Sequence, residues 1–364
     1  MKKTVLYDEH VALNAQMVDF GGFLMPLIYT SITEEHNYVR EKAGIFDVSH
    51  MGEFYVKGKE ATKFVDYIFT NDVSLMVDGQ VLYGMMLYEN GGVVDDLLVY
   101  KVHDEFYIMV VNASNADKDF AWATKQHVFD CVLTNESDNL SEVALQGPLA
   151  EEILQKLTDY DLSSLKFFTF SMMLINGKNV LVSRTGYTGE DGFEIYGYES
   201  EIKTIWKELL EAGGENISPA GLGCRDTLRF EVSLPLYGNE LGKDITPLEA
   251  GLASIAVRLN AGDFIGKDIL VKQKAEKTTR RIVGLQLLDK GILRHGYEVF
   301  KDGTKVGYIT TGYKSPSTGE TVAMAMIDRP FDKKGTELEV QIRNKMKKVV
   351  VRNKKFYTKS YKEN

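Results

Sequence analysis

Two apolar runs, Leu82-Tyr83-Gly84-Met85-Met86-Leu87-Tyr88 and Val93-Val94-Asp95-Asp96-Leu97-Leu98-Val99-Tyr100, flank the short polar stretch Glu89-Asn90-Gly91-Gly92. Asparagine and two glycines between apolar runs predict a β-hairpin. Two acids fall inside its second strand. Successive strand residues point to opposite faces, so either one of Asp95 and Asp96 enters the protein or the strand is a two-sided solvated edge. A carboxylate among apolar neighbours requires a hydrogen bond, an ion partner or a polar cavity.

The rest of the chain alternates helical and strand patterns. Ser31-Ile32-Thr33-Glu34 has the form of a capping box, and its helix should end near Ala43-Gly44. Gly44 to Glu53 reads as strand with a polar centre, in which His50 suits a hydrogen-bonded structural histidine. A helix follows on Ala61, Phe64, Val65 and Ile68, and Phe106 to Val111 is another strand. It runs into Asn112-Ala113-Ser114-Asn115, which reads as a local Asx cap or as a ligand loop. Val143 to Pro148 ends a further strand, with Pro148 placed for the first turn of a helix through Leu149, Ile153, Leu154 and Leu157. A second hairpin turns at Asn176-Gly177 and leads into Arg184 to Tyr196. There Glu194 faces opposite to Phe193 and Ile195, outward to solvent or inward to a ligand. Ile202, Ile205, Trp206, Leu209 and Leu210 form a helical stripe stopped by Gly213-Gly214. Arg225 to Glu231 is a helical segment whose charges suit ion pairs. From about Arg280 the pattern becomes short alternating strands at 282–285, 297–300, 306–309, 338–342 and 349–351, which indicate a small barrel or sandwich. The boundary before it falls at Ala275 to Thr279.

Composition narrows the class. A hydrophobic content of 44%, a charged content of 26% and a mean hydropathy of −0.19 describe a soluble globular protein. No apolar run approaches the roughly 20 residues of a membrane helix, so no membrane partner is expected. Met1 to His10 lacks the apolar centre of a secretory signal, and a cytoplasmic location is expected. Cys131 and Cys224, far apart, are expected to be small core residues in a reducing compartment. The six histidines are scattered without ligand spacing, so no metal is expected. Gly262 to Lys267 and Gly221-Leu222-Gly223 fall short of nucleotide-binding loops, so no nucleotide is expected either. Charge is uneven along the chain: Ile265 to Asn364 holds 23 Lys+Arg against 11 Asp+Glu, a local +12, which leaves −21 of the net −9 to the preceding residues. The basic part suits an acidic protein, a polyanionic small molecule or plain solvation, while the acidic body argues against nucleic acid.

Phe20-Gly21-Gly22, Phe46 to Glu53, Gly91 to Leu97, Asn112 to Asn115, Leu145 to Pro148, Arg184 to Glu194, Gly221 to Glu231 and Ser315-Pro316, in this order, resemble the T-protein family of the glycine cleavage system, tetrahydrofolate-dependent aminomethyltransferases. The resemblance implies an α+β, three-domain cloverleaf of two mixed α/β folate-binding domains and a C-terminal small β-barrel. Residues 1–274 would be the folate-binding region, two interleaved domains with the insertion at roughly 52–140, and residues 275–364 the barrel. It implies transfer of the one-carbon unit of an aminomethyl group, carried on the lipoyl arm of H-protein, to tetrahydrofolate with release of ammonia. By the same resemblance Asp96 is the catalytic acid beside the reacting folate nitrogens, and Asp95 is structural. Glu194 accepts the paired N–H donors of the pterin edge. Tyr83 and Tyr187 give flat surface to the rings. Arg225 lies at the pterin carbonyl or supports Glu194, and Asn112 adds polar contacts. Tetrahydrofolate and lipoylated H-protein are thus the implied co-substrate and partner. Two alternatives share the fold: a demethylase of a sulfonium or methylamine donor, and a non-enzymatic folate-binding factor. Departures from the family pattern are Cys224 in place of a small alanine, Arg343-Asn344-Lys345 in place of an Arg-Gly-Lys turn, and a loosely matching end at Phe356 to Lys359, which leaves the contact to the folate tail unassigned.

Overall fold

At the N-terminus β1 (Lys2–Lys3), β2 (Gln16–Phe20) and β3 (Phe23–Ile28) form a small sheet in the order β1-β3-β2 in the computed structural model, which describes residues 1–362. Gly21 and Gly22 make the tight turn between β2 and β3 at φ 59° and 84°, values that favour glycine. α1 (Tyr7–Ala12) lies between β1 and β2. α2 (Ile32–Glu41) begins where the capping pattern predicts, with the Ser31 side chain accepting from the Glu34 amide.

The predicted strand from Gly44 to Glu53 is in fact two strands of two different sheets. β4 (Gly44–Asp47) stops because Asp47 Oδ1 turns back to accept the Ser49 amide at 2.9 Å, and β5 (Gly52–Lys57) starts the next sheet. That five-stranded antiparallel sheet has the order β6-β7-β8-β5-β9, from β6 (Val81–Leu87), β7 (Val93–His103), β8 (Phe106–Val111) and β9 (Val132–Asn135). α3 (Ala61–Ile68) and α4 (Ala116–Gln126) cover one of its faces, burying Phe54, Val56, Phe64, Leu97 and Val99.

The six-stranded sheet runs β11-β12-β13-β10-β4-β14, with β10 (Ser141–Gln146), β11 (Phe170–Ile175), β12 (Lys178–Ser183), β13 (Gly192–Gly197) and β14 (Ser218–Pro219). α5 (Ala150–Gln155) and α6 (Glu199–Gly213) pack on its covered face over Ile45, Leu145, Phe193, Ile195 and Trp206. The remaining faces of the two large sheets meet in a third apolar cluster that includes Tyr100, Ile108, Val110, Phe170 and Tyr196. Each sheet therefore has a helix-covered core side and a side turned toward the other sheet.

α7 (Leu222–Glu231), α8 (Ala253–Ala256) and α9 (Lys267–Glu276) lead to the C-terminal barrel. Its strands, β15 (Arg280–Leu287), β16 (Glu298–Lys301), β17 (Thr304–Lys314), β18 (Thr321–Asp328), β19 (Glu337–Ile342) and β20 (Lys345–Arg352), close in the order β15-β18-β17-β16-β19-β20. The α+β class with a C-terminal β-barrel is as the sequence leads one to expect. β18 has no counterpart among the five predicted strands. It is buried from Val322 to Ile327, with Ala323, Ala325 and Ile327 inside the barrel and Val322, Met324 and Met326 against the preceding region, so it lacks a polar face to alternate with.

The charges of α7 join the barrel to the body. Glu231 accepts from Ser315 Oγ at 2.5 Å and from Ser317 Oγ at 2.6 Å, and it pairs with Arg40 at 3.1 Å. Fully buried Arg229 pairs with Glu240 at 2.8 Å and with Asp226 at 2.7 Å. Cys224 is a core residue as expected. Cys131 is only partly buried, because it lies at the rim of its cluster beside His127, Sγ to Nε2 3.3 Å.

Candidate active site

The hairpin β6–β7 carries the acids. Asp95 sits on the helix-covered side of β7 with Leu97 and Val99, and Asp96 on the side that meets the second sheet, with Leu98 and Tyr100. Fully buried Asp95 accepts three N–H donors: the Asn112 amide at 3.0 Å, Asn112 Nδ2 at 2.9 Å and Asn115 Nδ2 at 2.7 Å. Partly buried Asp96 accepts from Tyr83 Oη at 2.9 Å and from Asn112 Nδ2 at 3.0 Å. Asn112 thus makes no Asx-type cap with its side chain, which instead bridges the two carboxyls. Burial and the neighbouring Asp95 push Asp96 up to about 7, although the Tyr83 and Asn112 hydrogen bonds pull it down.

Across the seam, β13 presents Glu194 and Tyr196, and the β10–β13 register places Ala144 opposite Glu194 and Glu142 opposite Tyr196. Glu194 is buried and accepts from the Thr185 hydroxyl; burial raises its proton affinity against the pull of Thr185 and Arg225. Tyr100 and Tyr196 close the seam, Oη to Oη 2.9 Å. Beyond them the two faces part into an apolar cleft of about 310 Å³ lined by Tyr55, Phe106, Ile108, Phe170 and Leu181.

Arg225 on α7 lies over the Tyr187 ring at 5.0 Å, and Tyr187 Oη donates to the Pro235 carbonyl. The Arg225 guanidinium makes no hydrogen bond or ion pair among the described residues. It is close enough to Glu194, Glu142 and His50 to act on their charges, so it is a cation held in place by stacking and available to a ligand. Tyr83, Asp96 and Asn112 are therefore joined by direct hydrogen bonds, and Tyr187 and Arg225 by ring contact. Glu194 faces the same region from the second sheet.

Two groups here escaped the sequence reading, and a third is set differently from the expectation. Glu53, on β5 opposite Val110, is buried with both carboxyl oxygens unpartnered, and Glu142 Oε2 is unpartnered as well, among the described residues. Burial raises both well above the ordinary carboxyl range, with Glu194 and Glu53 adding to the effect at Glu142. His50 is not the hydrogen-bonded histidine expected: its Nδ1 has no partner, and burial and Arg225 push it down to about 4 against the pull of Asp47. It is a neutral, buried ring against Phe20. An acid alternating with apolar residues in Glu53-Phe54-Tyr55-Val56 was the one visible signal for Glu53.

The sequence matches the GCVT N-terminal domain over residues 6–260 and the glycine cleavage T-protein C-terminal barrel domain over residues 280–358. The chain belongs to the glycine cleavage T-protein family. It is 53% identical over 366 residues to an aminomethyltransferase of Caldanaerobacter subterraneus subsp. tengcongensis, covering 100% of this chain and 98% of the relative. It is 52% identical over 363 residues to one of Lysinibacillus sphaericus, covering 99% of each. The crystal structure of glycine cleavage system aminomethyltransferase T from Bartonella henselae superposes with a TM-score of 0.93 at 31% identity, over 100% of this chain and 99% of that one. This T-protein is accordingly an enzyme, an aminomethyltransferase.

Proposed function

We propose that this T-protein transfers the one-carbon unit of an aminomethyl group, carried on the lipoyl arm of H-protein, to tetrahydrofolate, releasing ammonia and forming methylene-tetrahydrofolate. The observation that carries the proposal is the setting of Asp96: a carboxyl fixed by Tyr83 and Asn112 inside the seam, with a second buried carboxyl, Glu194, opposite. A reduced pterin offers two parallel N–H donors on one edge, and Glu194 is the acceptor that fits them. Tyr83 and Tyr187 flank the rings, and Arg225 meets the pterin carbonyl. Asp96 then lies beside the folate nitrogens, where an anion orients the attacking nitrogen and stabilises the iminium cation that forms as the amine or thiol departs. In this reading residues 1–274 are the folate-binding region, with the five-stranded sheet as its insertion, and residues 275–364 the barrel; the enzyme works in the cytoplasm.

An acidic carrier suits the charge of the barrel. Arg294, Arg343, Lys345 and Lys347 line one cleft there, and none of the four has an acidic partner among the described residues. Reconstitution tests the whole proposal: aminomethyl-loaded, lipoylated H-protein is mixed with the chain, and ammonia is followed with and without tetrahydrofolate. The reading predicts rapid ammonia release that depends on both partners. One-carbon transfer to tetrahydrofolate from a sulfonium or free methylamine donor alone, or no ammonia from the loaded carrier, would overturn it.

A further inference from the structure

Beyond β20 the chain crosses back over the body of the molecule, and no step of the proposed chemistry uses it. Residues 353–362 form neither helix nor strand. At the near end the Lys354 carbonyl accepts from Ser233 Oγ, and the Phe356 and Tyr357 amides both donate to the Glu231 carbonyl, at 2.8 and 2.9 Å. The Phe356 ring is buried beside Phe230, with ring centres 5.0 Å apart. In the middle the Arg40 guanidinium lies over the Tyr357 ring at 4.0 Å. At the far end Tyr361 Oη accepts from the Asp191 amide at 2.9 Å, and Lys362 Nζ pairs with Asp191 Oδ2 at 2.9 Å and with Glu151 Oε2 at 3.3 Å.

The segments gripped in this way are the two that hold Tyr187. The first is residues 184–191, the loop that joins β12 to β13 and carries Tyr187 itself. Asp191 at its end takes Arg184 from its start, at 2.9 and 2.6 Å, and Glu151 pairs with Arg184 too, so Lys362 completes a ring of two cations and two carboxylates at the base of the loop. Arg40, stacked on Tyr357, donates to the Thr188 carbonyl and to Glu190 Oε1, each at 2.7 Å. The second is the segment after α7, where Pro235 accepts from Tyr187 Oη and where Glu231 and Ser233 are tied to the chain's return. Ser233 holds φ 64°, a left-handed value that serine seldom adopts, so this turn keeps its shape through such outside contacts. We infer that residues 354–362 are a positioning strap: by joining the segment after α7 to the loop before β13, they fix the Tyr187 ring, and Arg225 stacked on it, in the shape that receives tetrahydrofolate. The near end of the strap is held by a buried ring and backbone hydrogen bonds, whereas the far end is exposed at Tyr361 and Lys362, so the far end opens while the barrel stays closed.

The inference rests on the folate reading of Tyr187, and linkage separates the two. A strap that favours the folate-binding shape of the loop must itself be held more firmly once folate is bound. Amide hydrogen exchange of the wild-type protein, followed by mass spectrometry with and without saturating tetrahydrofolate, should slow in residues 185–191 and also in residues 355–362. A chain shortened to end at Thr358 keeps Phe356 and Tyr357 but loses the far end of the strap. Its KM for tetrahydrofolate should rise about five- to tenfold while kcat changes less than about twofold, and exchange at 185–191 should quicken. Slower exchange at 185–191 with none at 355–362 would overturn the strap and leave the folate site standing, as would a shortened chain with a lower melting temperature and an unchanged KM. If tetrahydrofolate slows exchange in neither segment, the reading of Tyr187 as a folate contact falls, and the strap with it.

Discussion

Glu53 and Glu142 enter the seam without a cation of their own, and burial holds both on the neutral side. For a carboxyl whose proton affinity is raised by folding, the contribution to stability is complete below the ordinary value of 4.5 and is lost as pH climbs toward the folded value. Glu53→Gln removes that loss. The melting temperature of the variant should exceed that of the wild type by an amount that grows between about pH 4 and pH 8, and a constant difference across that range would contradict it. Alternation alone separates Asp95 from Asp96 and Glu194 from Phe193, so the opposed faces of those residues were legible in the sequence, their proposed roles only through the family resemblance. Glu53 and Glu142 were not, because each becomes unusual only when a sheet distant in sequence closes over it.

The hairpin β6–β7 was the most legible element, since its turn residues and flanking runs agree. Its seating was not visible: Val93 N donates to the Gly242 carbonyl at 3.0 Å, and a Cβ on Gly92 would lie 1.8 Å from the Lys243 carbonyl oxygen. Gly92→Ala should therefore cost about 1–3 kcal/mol in urea denaturation and weaken transfer with it, whereas an unchanged denaturation midpoint would contradict that seating. α7 shows the opposite case, a segment whose charges suggested ion pairs but whose partners were hidden. At Glu231 burial alone would raise the carboxyl, yet hydrogen bonds from His36, Ser315 and Ser317 win and hold it down to about 2. Its contribution is present above the ordinary value of 4.5 and is lost as pH falls toward 2. Glu231→Gln should cost about 3 kcal/mol at neutral pH and nearly nothing at the acid end; an equal cost at both ends would refute the clamp. β18 stayed hidden for a simpler reason: a strand covered on both faces has no polar period.

At the scale of the molecule, two sheets with covered outer faces and a basic barrel enclose one polar seam, and the −21 and +12 halves of the charge lie on different parts of the chain. Association with an acidic carrier should weaken steeply between about 50 and 300 mM salt, as measured by calorimetry, and equal affinity at both would remove the electrostatic part of the docking argument. Strand spacing and turns pointed to a C-terminal barrel or sandwich, and the α+β class with a barrel came from the family resemblance. The closure of the two large sheets on each other was not legible, because contacts such as that between Tyr100 and Tyr196, 96 residues apart, leave no local mark. The central claim is that this closure makes Asp96 the anion of the transfer step. The most direct measurement is single-turnover ammonia release from loaded carrier at saturating tetrahydrofolate, as a function of pH, for the wild type and Asp96→Asn. The wild-type rate should rise through a midpoint near 7. Asp96→Asn should still bind tetrahydrofolate yet react about 10²–10³-fold more slowly at every pH. A variant that reacts at the wild-type rate, or a wild-type rate that is flat across neutrality, would contradict the claim.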